Sequence, residues 1–244
     1  MDYSVNVEGV DNVVQAVRVT DSVERSIYAS TRLVLGRGAT PGHDRDYSAS
    51  TMYGLSKSRG EEIVRAAASD VWTIVRPTGI WGPWFGTPYR EFFSAIERGW
   101  YVHPGERQVR KSLGYVGNTV HQLIALMSLP SDVINGRTVW LTDYSPIVVR
   151  DWADRIREHL GGRRIRTVSV PLLRLMSRAG DGLQRIGLPQ VPLTTFRLSN
   201  LLADAVYDAR ETERVVGPLP YSVEEGIRLT VEWCRHTAMT APRD

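Results

Sequence analysis

An α/β fold with a parallel sheet and a smaller, less regular second domain is what this sequence predicts, and three observations predict it. Residues 25–29 (RSIYA) and 71–75 (VWTIV) are short apolar strands flanking an amphipathic helix at 50–68. That strand–helix–strand rhythm joins parallel neighbours. Beyond residue 160 the rhythm breaks into helices with isolated strands. The length of 244 residues accommodates one large or two small domains, with a core that buries roughly 70% of the unfolded surface.

Each element has a local reason. Val7, Val10, Val13, Val14 and Val17 recur at helical spacing and make 6–19 an amphipathic helix. Residues 36–50 are rich in Gly, Pro, Ser and Asp and form a loop. Met52, Leu55, Ile63, Val64 and Ala67 give the 50–68 helix its apolar side. Arg76-Pro77 ends the second strand, and GIWGPWFGTP at 79–88 is an aromatic, turn-forming loop. A short helix is expected at 89–98, a strand entry at 112–116, a helix at 119–129 and a strand at 138–142. The helix at 147–160 ends at Gly161-Gly162, a C-cap signal. A strand at 165–170 and helices at 171–186 and 194–202 follow. Ser222 to Glu225 is a capping box that opens the last helix.

Composition excludes several classes. Apolar residues at 42% and charged residues at 23% are globular values, so the chain is neither disordered nor fibrous. The single cysteine, Cys234, permits no intrachain disulfide and no Cys-cluster zinc site, so no metal is expected. It suits a reducing compartment, the cytoplasm. No run of ~18 apolar residues spells a membrane span, and MDYSVNVEG is not a signal peptide. Basic residues are scattered and the net charge is only +3, so neither nucleic acid nor a membrane is expected as a partner.

The sharpest chemical feature is YGLSK, with Tyr53 and Lys57 four residues apart on one helix face. A phenol titrates near ~10, and a neighbouring cation favours its phenolate, which makes it a usable acid or base near neutral pH. The same spacing also arises in an ordinary surface helix. The chain has 28 arginines and only two lysines, Lys57 and Lys111, so a lysine here is a choice. A compact ammonium reaches where a guanidinium fork fits poorly. Upstream, Ile27 to Thr31 is a strand ending in two hydroxyls, at the sheet edge where parallel α/β folds bind ligands. Thr31 is placed there either to hold a substrate oxygen or as a plain turn residue.

Six segments then occur in a fixed order: NVEGVDNVV from Asn6, IYASTRLVLG from Ile27, YGLSK, RPTGIWGP from Arg76, KSLGYVGN from Lys111, and LPYSVEEGIRLTVEW ending at Trp233. Together they resemble the extended branch of the short-chain dehydrogenase/reductase superfamily, the NAD-dependent epimerase/dehydratase type. Its counterparts are an NVxGTxNVL helix, an SSxxVYG strand end, YxxxK, an RPxxxYGP loop, an RDFVYVDD segment and a C-terminal stretch.

The resemblance implies a partial Rossmann-type doubly wound parallel sheet lacking its N-terminal strands, with a smaller mixed α/β substrate domain. Residues 1–82, with part of 112–160, would be the later half of the dinucleotide-binding domain. Residues 83–111 and 161–244 would bind mainly substrate. Tyr53 would be the general acid/base, Lys57 would hold the nicotinamide ribose, Thr31 would stand for the catalytic Ser/Thr, and Asn6 would support the site. The cofactor would be NAD or NADP, touched also by Ala29, Ser30, Pro77, Thr78 and Ile80. The substrate would be a small molecule such as a nucleotide sugar, its pyrophosphate held by Lys111 and, as a second candidate, Arg197. Trp81, Trp84, Phe85 and Tyr89 would either stack on a ring of the substrate or pack in the core. A homodimer through helices 6–19 and 50–68 is the expected assembly.

Departures qualify this reading. No GxxGxxG precedes Asn6, so roughly 90 residues, three βαβ units, are expected to be missing. A parallel strand is normally paired on both sides. The chain made alone is therefore expected to fold poorly and to bind NAD weakly. Gly79 replaces an asparagine common in the nucleotide-sugar enzymes, and similar loops occur in relatives that oxidise sterols or reduce flavonoid ketones. Asn118 replaces the aspartate of the RDFVYVDD segment. The alternatives are thus an oxidoreductase for a non-sugar hydroxyl or ketone, or a non-catalytic binding or regulatory module with the same fold.

Overall fold

A computed structural model describes residues 3–36, 39, 43–185, 187, 191 and 193–240. The part of the expected 36–50 loop at 37, 38 and 40–42 lies outside the described residues. In chain order the elements are α1 (Ser4–Arg18), β1 (Arg25–Ala29), a 3-10 turn (Arg32–Val34), α2 (Met52–Ala67), β2 (Val71–Pro77), β3 (Gly79–Trp81) and α3 (Tyr89–Glu97). Next come β4 (His103–Pro104), β5 (Arg110–Lys111), β6 (Leu113–Tyr115), α4 (Val116–Ser128), α5 (Ser131–Ile134), β7 (Arg137–Leu141), β8 (Ile147–Val148) and α6 (Val149–Leu160). β9 (Thr167–Val168), α7 (Val170–Arg185), α8 (Thr195–Leu202), α9 (Arg210–Val216) and α10 (Val223–Thr240) complete the order.

The chain forms two compact units. The first comprises Met1–Trp81, Ser112–Ser145 and Val206–Ser222; the second comprises Gly82–Lys111, Pro146–Ala205 and Val223–Asp244. Residues 206–222 thus belong to the first unit, where the sequence assigned them to the second. Tyr207 is the anchor: its amide donates to Ser112 Oγ at 3.0 Å, and its ring stacks on Trp140 at 4.4 Å.

The first unit is built on a parallel sheet in the order β1-β2-β7. Ile74 of β2 lies beside Tyr28 and Thr138, and Val75 beside Ala29 and Val139. Strand side chains alternate, so these two neighbours feed opposite faces. Ile74 joins Val14 of α1, Tyr28 and Val64 of α2 on one face. Val75 joins Leu126 of α4, Ile134, Val139 and Leu141 on the other. Helices therefore cover both faces, the arrangement that parallel strands require. Each fully buried aliphatic side chain contributes about 1.5–3 kcal/mol. Among the described residues β1 pairs on one side only, with β2.

At the far end of β7 a polar knot ties the sheet to α4. Asn118 is buried and donates to Asp143 Oδ1 at 2.9 Å and to the Tyr221 carbonyl at 2.9 Å. It also accepts from the Tyr221 amide at 3.0 Å. The Asp143 carboxylate accepts from the Tyr115 amide as well. Burial pushes the Asp143 carboxyl up to about 6, against the pull of those two donors.

Among the described residues the second unit has only two-residue strand pairs, β4 with β9 and β5 with β8. Its core is aromatic: Phe92 stacks on Trp152 at 5.0 Å, and Phe85 meets Phe93 and Trp233 edge-on.

Several expected boundaries move. Residues 79–81 are a strand paired to β6 instead of the start of a loop. The helix expected from 119 begins at Val116, and the strand expected over 165–170 is confined to Thr167–Val168. In α2 the buried residues are Gly54, Ser56, Ser58, Gly60, Glu61 and Val64, while Met52 and Leu55 are exposed. The first turns of α2 approach their neighbours too closely for large side chains. Gly161 adopts φ 72° as the expected C-cap of α6.

Asp143 gives a pH test. Its folded pKa is raised from the ordinary 3.8, so the stability it contributes by staying protonated is full below about pH 4 and is lost as pH rises to about 6. Between pH 4 and pH 7.5 the native protein should lose about 2–3 kcal/mol relative to Asp143→Asn, which has no such titration. Urea unfolding of both proteins across that range checks it.

Candidate active site

β1 ends at Ala29, and the Ser30 amide stays in the sheet through the Val75 carbonyl at 2.8 Å. Thr31 is buried in extended backbone and caps the following 3-10 turn, its hydroxyl accepting from the Leu33 amide at 3.3 Å. This turn is the floor on which α2 lands. Thr51 caps α2 by accepting from the Gly54 amide at 3.0 Å. A Cβ on Gly54 would lie 2.0 Å from the Leu33 carbonyl oxygen. Glycine is therefore required inside YGLSK by the turn beneath it, and the first turn of α2 rests directly on that backbone.

Lys57 reaches back from α2 to the strand end, where its Nζ donates to the Ala29 carbonyl at 3.1 Å. Burial holds its ammonium below the usual lysine range. Tyr53 is half-buried, with its ring edge-on to Tyr3 at 5.6 Å. Among the described residues no side chain takes its hydroxyl. Asn6 is bonded to α2. Its Nδ2 donates to Ser56 Oγ at 3.1 Å, and Ser56 donates to the Tyr53 carbonyl at 2.8 Å. Asn6 thus braces the backbone behind the tyrosine from α1.

The Ser30 hydroxyl is buried and donates to Glu61 Oε1, so its side chain faces the interior. Pro77 and Thr78 are half-buried at the end of β2, with Thr78 bonded to the Leu141 carbonyl through its amide at 3.1 Å and its hydroxyl at 3.4 Å. Ile80 is half-buried in β3, opposite Gly114 of β6. Trp81, expected to meet substrate, is only 1% exposed and packs on Tyr115 at 5.2 Å, so its ring belongs to the core. Lys111 and Arg197 belong to the second unit. Lys111 Nζ donates to the Asn200 carbonyl at 2.7 Å, and exposed Arg197 lies 3.9 Å from Glu91.

Sequence reasoning missed the group that fixes α2 to β2. Glu61 and Arg76 are both buried and form a two-pronged pair, with Nε to Oε1 at 2.9 Å and Nη2 to Oε2 at 2.7 Å. Tyr47 donates to Glu61 Oε2 at 3.0 Å, and the Arg76 guanidinium lies over the Trp140 ring at 5.5 Å. The signal was the four-residue step from Tyr53 through Lys57 to Glu61, one face of one helix.

The family model described as the 3-beta hydroxysteroid dehydrogenase/isomerase family matches residues 1–172. The chain belongs to that family. It is 26% identical over 232 residues to the 3 beta-hydroxysteroid dehydrogenase/Delta 5-->4-isomerase of Mycobacterium tuberculosis, covering 89% of this chain and 62% of that one. It thus spans about 62% of the length of this curated relative. It is 25% identical over 240 residues to the N-acetyl-alpha-D-glucosaminyl-diphospho-ditrans,octacis-undecaprenol 4-epimerase of Escherichia coli O157:H7, covering 95% and 71%. The fold is that of the UDP-glucuronic acid 4-epimerase of Bacillus cereus in complex with NAD, with a TM-score of 0.68 at 12% identity over 95% of this chain and 68% of that one. A human epimerase family protein with NADPH matches with TM-score 0.68 at 12% identity, covering 94% and 73%.

Gly54→Ala tests the landing of α2. The added methyl meets a backbone carbonyl, so the variant should lose at least ~1–3 kcal/mol, read as a lower midpoint in urea. A midpoint equal to that of the native protein would mean that α2 stands off the turn.

Proposed function

We propose that this protein is an NAD(P)-dependent oxidoreductase that interconverts a secondary ring alcohol and its ketone through Thr31, Tyr53 and Lys57. The observation that carries the proposal is the Lys57 ammonium on the Ala29 carbonyl, one helical turn after Tyr53, at the carboxyl edge of a parallel sheet. The exposed backbone at Ala29 with Lys57, Pro77, Thr78 and Ile80 fits the nicotinamide half of a dinucleotide. No GxxGxxG occurs in this sequence, so these residues answer for that half only.

When bound, NAD or NADP accepts or supplies the hydride. Tyr53 exchanges the proton of the substrate hydroxyl at its phenol oxygen. The Lys57 ammonium holds the ribose and supplies positive charge one turn from the phenol. The Thr31 hydroxyl accepts from the Leu33 amide and so keeps its own proton to donate to the substrate oxygen. Asn6 and Ser56 hold the Tyr53 backbone in place.

An uncharged ring alcohol of the hydroxysteroid type is the substrate we favour. This reading rests on the match of residues 1–172 to the 3-beta hydroxysteroid dehydrogenase/isomerase family. The second reading, a nucleotide-sugar epimerase or dehydratase, draws on the likeness to the undecaprenol-linked sugar epimerase. A homodimer through α1 and α2 would use the exposed Val13, Met52 and Leu55. A reducing, cytoplasmic setting suits the lone Cys234.

Turnover should be followed by NADH and NADPH formation with a 3-beta-hydroxysteroid and, in parallel, by epimerisation of a UDP-sugar. Tyr53→Phe should lower kcat by ~10²–10⁴ and leave dinucleotide binding nearly unchanged. Wild-type turnover in that variant would remove Tyr53 from the chemistry. Dinucleotide binding with no turnover on either substrate would assign the protein to the non-catalytic alternative.

A further inference from the structure

We infer that His103 is an acid-operated latch on the second unit, whose neutral ring lets β4 close on β9 and whose protonation opens that pair. Histidine is the side chain whose charge ordinarily changes between pH 5 and 8. On a surface that change costs little. His103 is instead only 2% exposed, and it sits in β4 opposite Thr167 of β9. Its amide donates to the Arg166 carbonyl at 2.9 Å, and the Gly105 amide donates to the Val168 carbonyl at 2.9 Å. The ring is thus carried by the strand pair that these amides hold shut. Neither ring nitrogen makes a hydrogen bond, although Nε2 lies 3.3 Å from Asp154 Oδ2 of α6. The Tyr101 ring meets the imidazole edge-on at 5.6 Å, and the Tyr101 hydroxyl is likewise buried without a partner. Burial pushes that phenol up to about 12, so it carries no charge near neutrality. A buried imidazolium would need acceptors on both nitrogens, and this site supplies none in bonding geometry.

The charged groups around the ring are Arg150, Asp154 and Arg157 of α6, Glu106 after β4 and Arg166 before β9, all in the second unit. Arg150 clips the same strand pair. Its guanidinium donates to the Gly105 carbonyl and to Thr167 Oγ1 at 3.2 Å, and it lies 3.5 Å from Glu106. That fixed cation opposes a second one beside it. Asp154 favours a charged ring, but its carboxylate is 36% exposed and is shared with Arg157 at 3.9 Å. Glu106 is 84% exposed. Solvent screens both acids, and the buried ring has no such relief. Burial, seconded by Arg150, holds the imidazole below the ordinary histidine range. A group depressed in this way contributes stability that is full above the ordinary value of 6.5 and is lost as the pH falls below it. Asp143, in the first unit, acts in the opposite sense, so acid loosens the second unit and not the first. The latch does not depend on the Tyr53 chemistry.

The test is amide hydrogen exchange of the whole protein from pH 7.5 to pH 5, corrected for the intrinsic pH dependence of exchange. Protection of the His103 and Gly105 amides should fall at least ~threefold, toward a ceiling of ~30-fold set by an opened ring of ordinary pKa. The amides of Ile74 and Val75 in β2 should not follow. His103→Gln keeps a polar side chain that cannot charge, and it should flatten the response. A nuclear magnetic resonance titration of the His103 imidazole in the native protein needs no variant, and it should give a pKa below the ordinary value. Protection that stays flat, a fall that Ile74 and Val75 share, a fall that a folded His103→Gln retains, or a ring that titrates at or above the ordinary value would each overturn the latch.

Discussion

The first unit depends on one close approach. Helix α2 comes down on the turn after β1 with no side chain between them, because Gly54 faces the Leu33 carbonyl. Any larger residue would hold the helix away by the width of a methyl group. From this close seat Lys57 reaches the Ala29 carbonyl at 3.1 Å. On the other side α1 packs against α2: a Cβ on Gly60 would meet Val10 at an ordinary contact distance of 3.4 Å, and the Asn6–Ser56 bond ties the two helices at the level of Tyr53.

A second constraint fixes α2 along its axis. Glu61 is buried at the third step of the stripe that begins with Tyr53 and Lys57. It is compensated by Arg76 at the end of β2, by the Ser30 hydroxyl and by Tyr47. Buried charge is tolerated only when its partners are complete. The strand end that receives Lys57 and the strand end that carries Thr78 are thereby held to the same helix. The Lys57–Ala29 contact at the sheet edge and the Glu61–Arg76 pair in the interior are two ends of one connected arrangement.

Much of this was legible in the sequence, for a physical reason. β1 was bounded to the residue and α2 to within two, since both are flanked by turn or capping residues. The YxxxK spacing put Tyr53 and Lys57 on one helix face, the one from which Lys57 reaches the strand end. The buried face of α2 was not legible, because close packing selects glycine and serine, which carry no apolar signal. Glu61 was missed because an acid on a helix is normally solvated, and its partner Arg76 lies fifteen residues away across the sheet. That the Trp81 and Ser30 side chains are buried was not legible, because a residue near a strand end can point to either side of it. The two-residue strands of the second unit are too short for any periodicity to reveal.

The contact that everything else rests on is that of the half-buried Lys57 ammonium with the Ala29 carbonyl. The sequence makes it directly measurable, since only two lysines are present and ¹⁵N-lysine labelling gives two side-chain signals. Lys57→Arg assigns them. A pH titration of the Lys57 signal should give a pKa below the usual lysine value, in the direction that burial dictates. A Lys57 that titrates at or above that value would mean the ammonium stands in solvent, and the account of the site would fail.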